Sequence, residues 1–239
     1  MDKRDYLQPI NITSTKKILE QMIKCVCKIR VNNIMIGTGF FCRVNSMNFL
    51  MTCYHIIDEK YLMENEEINL SLNNDEENKK IDLGIQREFY FHKEYGTTFI
   101  ELKEEDKIKN YLELDDNLFK DNEREYYENK SIYILQYLYG KEIYVSYGTL
   151  KTISNNKIIH LCSTDIGSSG SPILNLTNNK VIGIHINSNI YHKFNYGTLL
   201  KFPLNDLRRK GFKIIKKLGQ GGFRNVYKIF LHLEKNHNI

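Results

Sequence analysis

Gly167-Ser168-Ser169-Gly170-Ser171-Pro172 is the stretch on which the reading of this chain turns. A glycine-rich turn centred on a serine can aim backbone N–H groups and one hydroxyl at a single point, and Gly170 lets the backbone turn tightly there. Attack by a serine on an acyl group needs that arrangement: a nucleophile beside donors that accept the developing negative charge. A serine hydroxyl also needs a base next to it. Leu50-Met51-Thr52-Cys53-Tyr54-His55-Ile56-Ile57 offers one, with His55 at the end of a short apolar run.

Outward from these two landmarks, strand signals dominate. Residues 14–24 read as a short amphipathic helix with Ser14 as N-cap. Cys25–Val31 alternates, Asn32-Asn33 is a turn signal, and Ile34–Val44 resumes as a strand. Phe49–Thr52, Ile68–Leu72, Phe89–His92 and Thr97–Leu102 read as further strands, with a loop over Asn73–Lys80. Residues 103–130 are highly charged and read as a helical or irregular connection between two halves. Strands return at Ser131–Tyr137, Ile143–Leu150, Ile158–Cys162, Val181–Ile186 and Gly197–Phe202. Many short strands separated by turns predict an all-β barrel or sandwich, here two six-stranded halves with the site between them. The charged tract Asn205–Lys210 marks a boundary, and no repeat of fixed period occurs.

Composition narrows the classes. In 239 residues, 41% hydrophobic and 12% aromatic content is enough for a packed core. The formal charge of +5 is spread among acids, as in Glu101–Lys109, and no basic stripe with interleaved aromatics argues for a nucleic-acid partner. The start, Met1-Asp2-Lys3-Arg4-Asp5, lacks the apolar stretch of a secretory signal. No run of about 18 apolar residues predicts a membrane span. Cys25, Cys27, Cys42, Cys53 and Cys162 are odd in number and sit in apolar stretches, which predicts reduced, buried thiols in a cytoplasmic protein. Cys25-Val26-Cys27 has no second pair to complete a zinc site, so neither metal nor cofactor is expected.

Five segments carry a family resemblance. Gly37-Thr38-Gly39-Phe40-Phe41 resembles the Gly-x-Gly-Phe strand before the catalytic histidine of trypsin-like serine peptidases. Met51–His55 resembles their Leu-Thr-x-x-His. Thr97–Leu102 resembles the strand whose start carries the catalytic Asp. Gly167–Pro172 resembles Gly-Asp-Ser-Gly-Gly-Pro, and Val181–His185 the strand lining the substrate pocket. The resemblance covers about 24–204. It implies a chymotrypsin-like double β-barrel, with barrel 1 at about 24–110 and barrel 2 at about 130–204, behind an N-terminal arm over 1–23. It implies Ser169 as nucleophile, His55 as general base, and the N–H groups of Gly167 and Ser169 as oxyanion hole. Ser163 and His185 fall at the pocket for the side chain before the scissile bond, where no carboxylate favours Arg or Lys. The implied partner is a peptide or protein. Ser168 replaces an Asp that in secreted relatives receives a new N-terminus, so no such activation is implied. A Cys42–Cys53 bridge, of the kind secreted relatives carry, is disfavoured by the missing signal.

The departure is at the third catalytic position. The residue before Thr97 is Gly96, which offers no carboxylate to orient His55. Loss of that function costs about 10⁴ in kcat in such a triad. Two substitutes are open: Glu94, two residues upstream, which would face the same side on a strand, and a water or a carboxylate from the 73–82 region. Two readings follow: a serine endopeptidase weakened at Gly96, or a pseudopeptidase that keeps the cleft as a peptide-binding or regulatory module.

Near the end, Phe212–Ile229 (FKIIKKLGQGGFRNVYKI) resembles the opening of a protein kinase domain. Gly219 and Gly221 match the glycines of the loop over the ATP phosphates, Phe223 the usual aromatic, and Val226 the valine that follows; Arg224 replaces the third glycine. The strand bearing the kinase lysine does not follow, and Ile239 ends the sequence before any catalytic-loop motif. The resemblance implies no kinase activity in this chain and a covalent peptidase–kinase fusion in a longer one. A segment of one or two strands cannot bury a core, so residues beyond about 211 are expected to pack poorly.

Overall fold

A computed structural model describes residues 7–31, 35–189, 194–210, 213–221 and 224–231, with backbone alone at 35–36, 189, 210 and from 213 on. The chain enters through helix α1 (Ile12–Cys25), capped by Asn11 and not by Ser14: the Asn11 side chain accepts the Ser14 N–H at 2.9 Å. Its inner face buries Ile18, Gln21 and Cys25. Gln21 accepts the Tyr133 hydroxyl at 2.7 Å and donates to the Asn179 carbonyl at 2.8 Å, which docks α1 on the second half of the molecule.

The first half comprises β1 (Val26–Val31), β2 (Met35–Val44), β3 (Met47–Cys53), α2 (Glu59–Glu64), β4 (Glu67–Leu72), β5 (Glu77–Asp82), β6 (Arg87–His92), β7 (Thr97–Glu101) and β8 (Leu112–Glu113). After α3 (Glu123–Tyr127) come β9 (Ser131–Tyr137), β10 (Ile143–Ser154), β11 (Lys157–His160), β12 (Pro172–Asn175), β13 (Lys180–Asn189), β14 (Phe194–Leu199) and α4 (Lys201–Lys210). The hairpin β15 (Lys213–Gly221) and β16 (Arg224–Leu231) ends the described chain. The expected Asn32-Asn33 turn lies outside the described residues.

The second half is a closed antiparallel barrel in the order β10-β11-β14-β13-β12-β9. The first is an open, ten-stranded sheet in the order β16-β15-β6-β7-β3-β2-β1-β4-β5, with β8 parallel on β2. The all-β, two-barrel architecture therefore stands, but the two halves are not both six-stranded. Three strands read as loop, as an irregular connection or passed over, β5, β8 and β12, belong to the sheets. At the open seam the buried Arg87 side chain does what a strand pairing would. Its guanidinium donates to the Asp82 carbonyl at the end of β5 (2.9 Å), to Glu101 of β7 (2.7 Å) and to both Asp106 oxygens (2.8 and 3.0 Å).

The tail beyond 211 is paired through its backbone. β15 extends the first sheet, with Ile214 opposite Glu88 and Ile215 opposite Arg87; how its side chains pack lies outside the described residues. Residue 205, the sequence-based boundary, falls inside α4, where Leu204 and Leu207 are buried. All five cysteines are buried and unpaired, Cys42 and Cys53 included. Burial pushes the Cys25 thiol up to about 11 and raises the other four further.

Candidate active site

The serine turn hangs between β11 and β12 and is closed by its own polar groups. Asp165 N–H donates to Ser168 Oγ (2.9 Å), and Ser168 donates back to the Asp165 carbonyl through both Oγ (2.6 Å) and N–H (3.0 Å). Ile166 N–H binds Asp165 Oδ1, Gly170 N–H the His185 carbonyl, and Ser171 N–H the Ser168 carbonyl. Only the N–H groups of Gly167 and Ser169 find no acceptor among the described residues of this turn. Both belong to peptide planes anchored on the other side. The Ile166 carbonyl accepts from Tyr139 N–H at 2.7 Å and the Ser168 carbonyl from Ser171 N–H at 3.1 Å. In a trans peptide the N–H then points away from those partners, so the turn presents two spare donors on either side of residue 168.

Two glycines make this turn feasible. Gly167 has φ +95°, and a Cβ there would stand 2.3 Å from the Tyr137 carbonyl oxygen; at Gly170 a Cβ would stand 2.0 Å from that of Thr38. The close neighbour at Gly170 is itself the clamp on the turn. Thr38, buried in β2, donates its N–H to the Ser169 carbonyl (2.9 Å) and its hydroxyl to the Gly167 carbonyl (2.8 Å), and accepts from Tyr137 N–H (3.0 Å). Its own carbonyl accepts from the Thr52 hydroxyl at 2.9 Å. One residue of the first half thus holds both sides of the serine.

His55 follows β3 in a turn in which Ile56 and Ile57 N–H groups return to the Cys53 carbonyl. The same His185 carbonyl binds Gly170 N–H and Cys53 Sγ (3.2 Å), tying the end of β3 to the serine turn. His55 is exposed, yet its surroundings desolvate the ring enough to hold its pKa below the usual 6.5, leaving it neutral at pH 7. Ser169 is half-buried, and its hydroxyl donates to the Ile186 carbonyl at 3.1 Å. No hydrogen bond joins His55 to Ser169 among the described residues.

Gly96 is the last residue of the turn before β7, and its carbonyl accepts Tyr54 N–H at 2.9 Å, beside His55. It has φ +66°, and its open side faces the Ile186 side chain, 3.5 Å from where a Cβ would be. The reading of Glu94 as a strand residue sharing that side is corrected. Residues 93–96 form a turn, Glu94 is exposed on it, and no carboxylate pairs with His55 among the described residues. His185 is buried on β13, with Nδ1 3.2 Å from Nε2 of buried His160. Burial pulls His160 down to about 3 and is the main reason His185 lies well below 6.5, so both rings are neutral. Ser163 is exposed, and its carbonyl accepts from Gln136 Nε2 at 2.9 Å. Gly219 and Gly221 sit on β15, opposite Val226 and Arg224 of β16. No described cluster of His, Cys, Asp and Glu is arranged to hold a metal.

Sequence reasoning missed Thr38, Tyr139 and Ile186. Thr38 could have been suspected from its place between two glycines; Ile186 acts through its carbonyl and Tyr139 holds the Ile166 carbonyl through its N–H, and backbone groups leave no residue-type signal.

The model of the trypsin-like peptidase domain matches residues 37–184. The chain belongs to the trypsin-like peptidase family. Solved structures agree on the fold. The active form of the Rv3671c protease from M. tuberculosis superposes with a TM-score of 0.60 at 13% identity, covering 89% of this chain and 93% of that one. A serine endoprotease from Yersinia pestis gives 0.62 at 11% identity, over 87% and 75%. A human pathogenic astrovirus serine protease gives 0.53 at 17%, over 75% and 94%. No curated protein matches this sequence. This trypsin-like peptidase domain has the chymotrypsin-like arrangement of the family, with its first barrel left open.

Proposed function

We propose that this trypsin-like domain is a serine endopeptidase acting through Ser169 and His55. The observation that carries the reading is the pair of spare N–H groups at Gly167 and Ser169, in a turn whose other N–H groups are bonded. Donors left over in this way suit an oxyanion, and each is worth some 3–4 kcal/mol in acyl transfer. In the reaction, Ser169 Oγ attacks the carbonyl carbon while its proton passes to His55. Collapse of the tetrahedral adduct breaks the C–N bond, and His55 returns the proton to the leaving amine. Water, deprotonated by His55, then releases the acyl group and restores Ser169. Ser163 and His185 are assigned to the pocket for the side chain before the scissile bond. With His185 neutral and Ser163 uncharged, neither position supplies a charge to select Arg or Lys.

Two costs oppose turnover, and their sizes rank them. Ser169 must leave the Ile186 carbonyl to reach His55, exchanging one neutral hydrogen bond worth about 1 kcal/mol, less than tenfold. Lack of a carboxylate behind His55 costs about 10⁴, so Gly96 sets the activity. That glycine, with Ile186 packed on its open side, favours the second reading: a domain that binds peptides in the cleft and cleaves them poorly or not at all. Fluorophosphonate labelling of wild type, Ser169→Ala and His55→Ala separates the two. Labelling lost in both variants supports the enzyme; folded wild type that stays unlabelled leaves the binding module.

The five unpaired thiols favour a reducing, cytoplasmic setting. The Gly219, Gly221 and Val226 pattern favours fusion to a kinase domain in a longer chain, and sequencing the full transcript tests it.

A further inference from the structure

We infer that Lys28 is a positioning residue that reaches from the first barrel into the second and keeps the Gly167 N–H aimed at the cleft; this rests on the peptidase reading above. Lys28 lies on β1 and is fully buried. A buried ammonium is costly unless its donors are satisfied. Here Nζ donates to Asp75 Oδ2 (2.7 Å), the Gly140 carbonyl (3.0 Å) and the Lys141 carbonyl (3.4 Å), and lies 5.6 Å from the centre of the Tyr137 ring. Asp75 belongs to the first half and the two carbonyls to the second. The neighbouring Asn74 adds a parallel strap, accepting Ile143 N–H through Oδ1 at 2.8 Å.

The strapped segment carries the site. Tyr139 has φ +52° and Gly140 φ +62°. A non-glycine residue in the left-handed region persists where its surroundings hold it. Tyr139 N–H binds the Ile166 carbonyl at 2.7 Å, and the Tyr139 hydroxyl donates to the Asp165 carboxylate. The Ile166 carbonyl and the Gly167 N–H share one planar unit. Holding the carbonyl against Tyr139 keeps the N–H on the opposite side. If Lys28 releases 140–141, Tyr139 can relax, and the plane can turn its oxygen toward the cleft in place of the donor. Nothing else in the mechanism uses Lys28, and its side chain is fully buried.

The test compares wild type with Lys28→Met, which keeps the stem and removes the ammonium, and with Asp75→Ala, which changes an exposed turn. The rate of fluorophosphonate labelling is expected to fall about 10²-fold in Lys28→Met, the loss typical of one oxyanion donor, and about tenfold in Asp75→Ala, with both proteins folded by circular dichroism. A crystal structure of either variant is expected to show the Ile166–Gly167 peptide turned over or in two orientations, a change that lowered stability alone would not produce. Should Lys28→Met not fold, Asp75→Ala carries both measurements. Labelling within threefold of wild type, or a peptide plane unchanged in a folded variant, overturns the inference. Unlabelled wild type defeats the peptidase reading instead, and the crystal structures still decide whether Lys28 holds the peptide.

Discussion

Replacing Thr38 by valine removes one oxygen and keeps the outline of the side chain. In the wild type that oxygen donates to the Gly167 carbonyl at 2.8 Å and accepts Tyr137 N–H at 3.0 Å, all buried at the junction of the two halves. The valine leaves one carbonyl and one N–H without a partner. Each such group costs about 1–3 kcal/mol, partly offset because a buried hydroxyl no longer has to be desolvated. The expected net loss is about 2–3 kcal/mol, a large part of a typical 5–15 kcal/mol. With a urea m-value near the upper end of about 1–3 kcal/mol/M, the unfolding midpoint falls by about 1 M. Thr38→Ser keeps both hydrogen bonds and loses a methyl group, so its midpoint should fall by less than half as much. Because the lost bond is to Gly167, fluorophosphonate labelling should also slow in Thr38→Val under conditions where it stays folded. A Thr38→Val midpoint within about 0.2 M of wild type would refute the assignment of Thr38 as the clamp.

Further outcomes follow from the same geometry. Gly96→Asp should not restore a triad by itself: a left-handed Asp costs about 1–2 kcal/mol and points at Ile186, so labelling should rise less than threefold unless Ile186 is truncated as well. His160 and His185 are buried neutral, with folded pKa values below the unfolded 6.5. The stability they allow is present above pH 6.5 and is lost as pH falls from there toward the folded value, about 3 for His160, at about 1.4 kcal/mol per pH unit per ring. Denaturation curves from pH 7 to 4 check this, and His160→Phe should flatten the slope. Asp106→Ala strands the Arg87 guanidinium at the open seam and should cost about 3–5 kcal/mol, read as a drop in melting temperature. A thiol reagent at neutral pH should leave the native protein unmodified and titrate all five cysteines only after unfolding, as their burial and raised pKa values require.

Much of the fold was legible because its signals are local. Alternating apolar residues at Cys27 and Ile29, and the turn residues between runs, mark strands wherever one face is buried. The strand Glu77–Asp82 was missed because it is an edge: only Ile81 of its six residues is buried, so its pattern is polar like that of a loop. The strand read over Gly197–Phe202 and the charged tract Asn205–Lys210 concealed helix α4 for a related reason, since its buried residues, Pro203, Leu204 and Leu207, are few among Lys and Arg. Glu94 was misjudged because a strand period was carried into a turn, where alternation has no meaning.

The sequence alone determined which chemical groups are available: a serine among glycines, a histidine after an apolar strand, and a glycine where a carboxylate belongs. Those are properties of residue type and order, and they survive without coordinates. Only the tertiary structure decided which groups are spare and which are spent. Among the described residues the Gly167 and Ser169 N–H groups find no acceptor, while Thr38 and Tyr139, distant in sequence, bond the carbonyls of Ile166, Gly167 and Ser169 around them. The Ser169 hydroxyl rests on Ile186 because β13 brings that carbonyl within reach. Hydrogen-bond partners of this kind are set by long-range packing, which no local pattern of residues encodes.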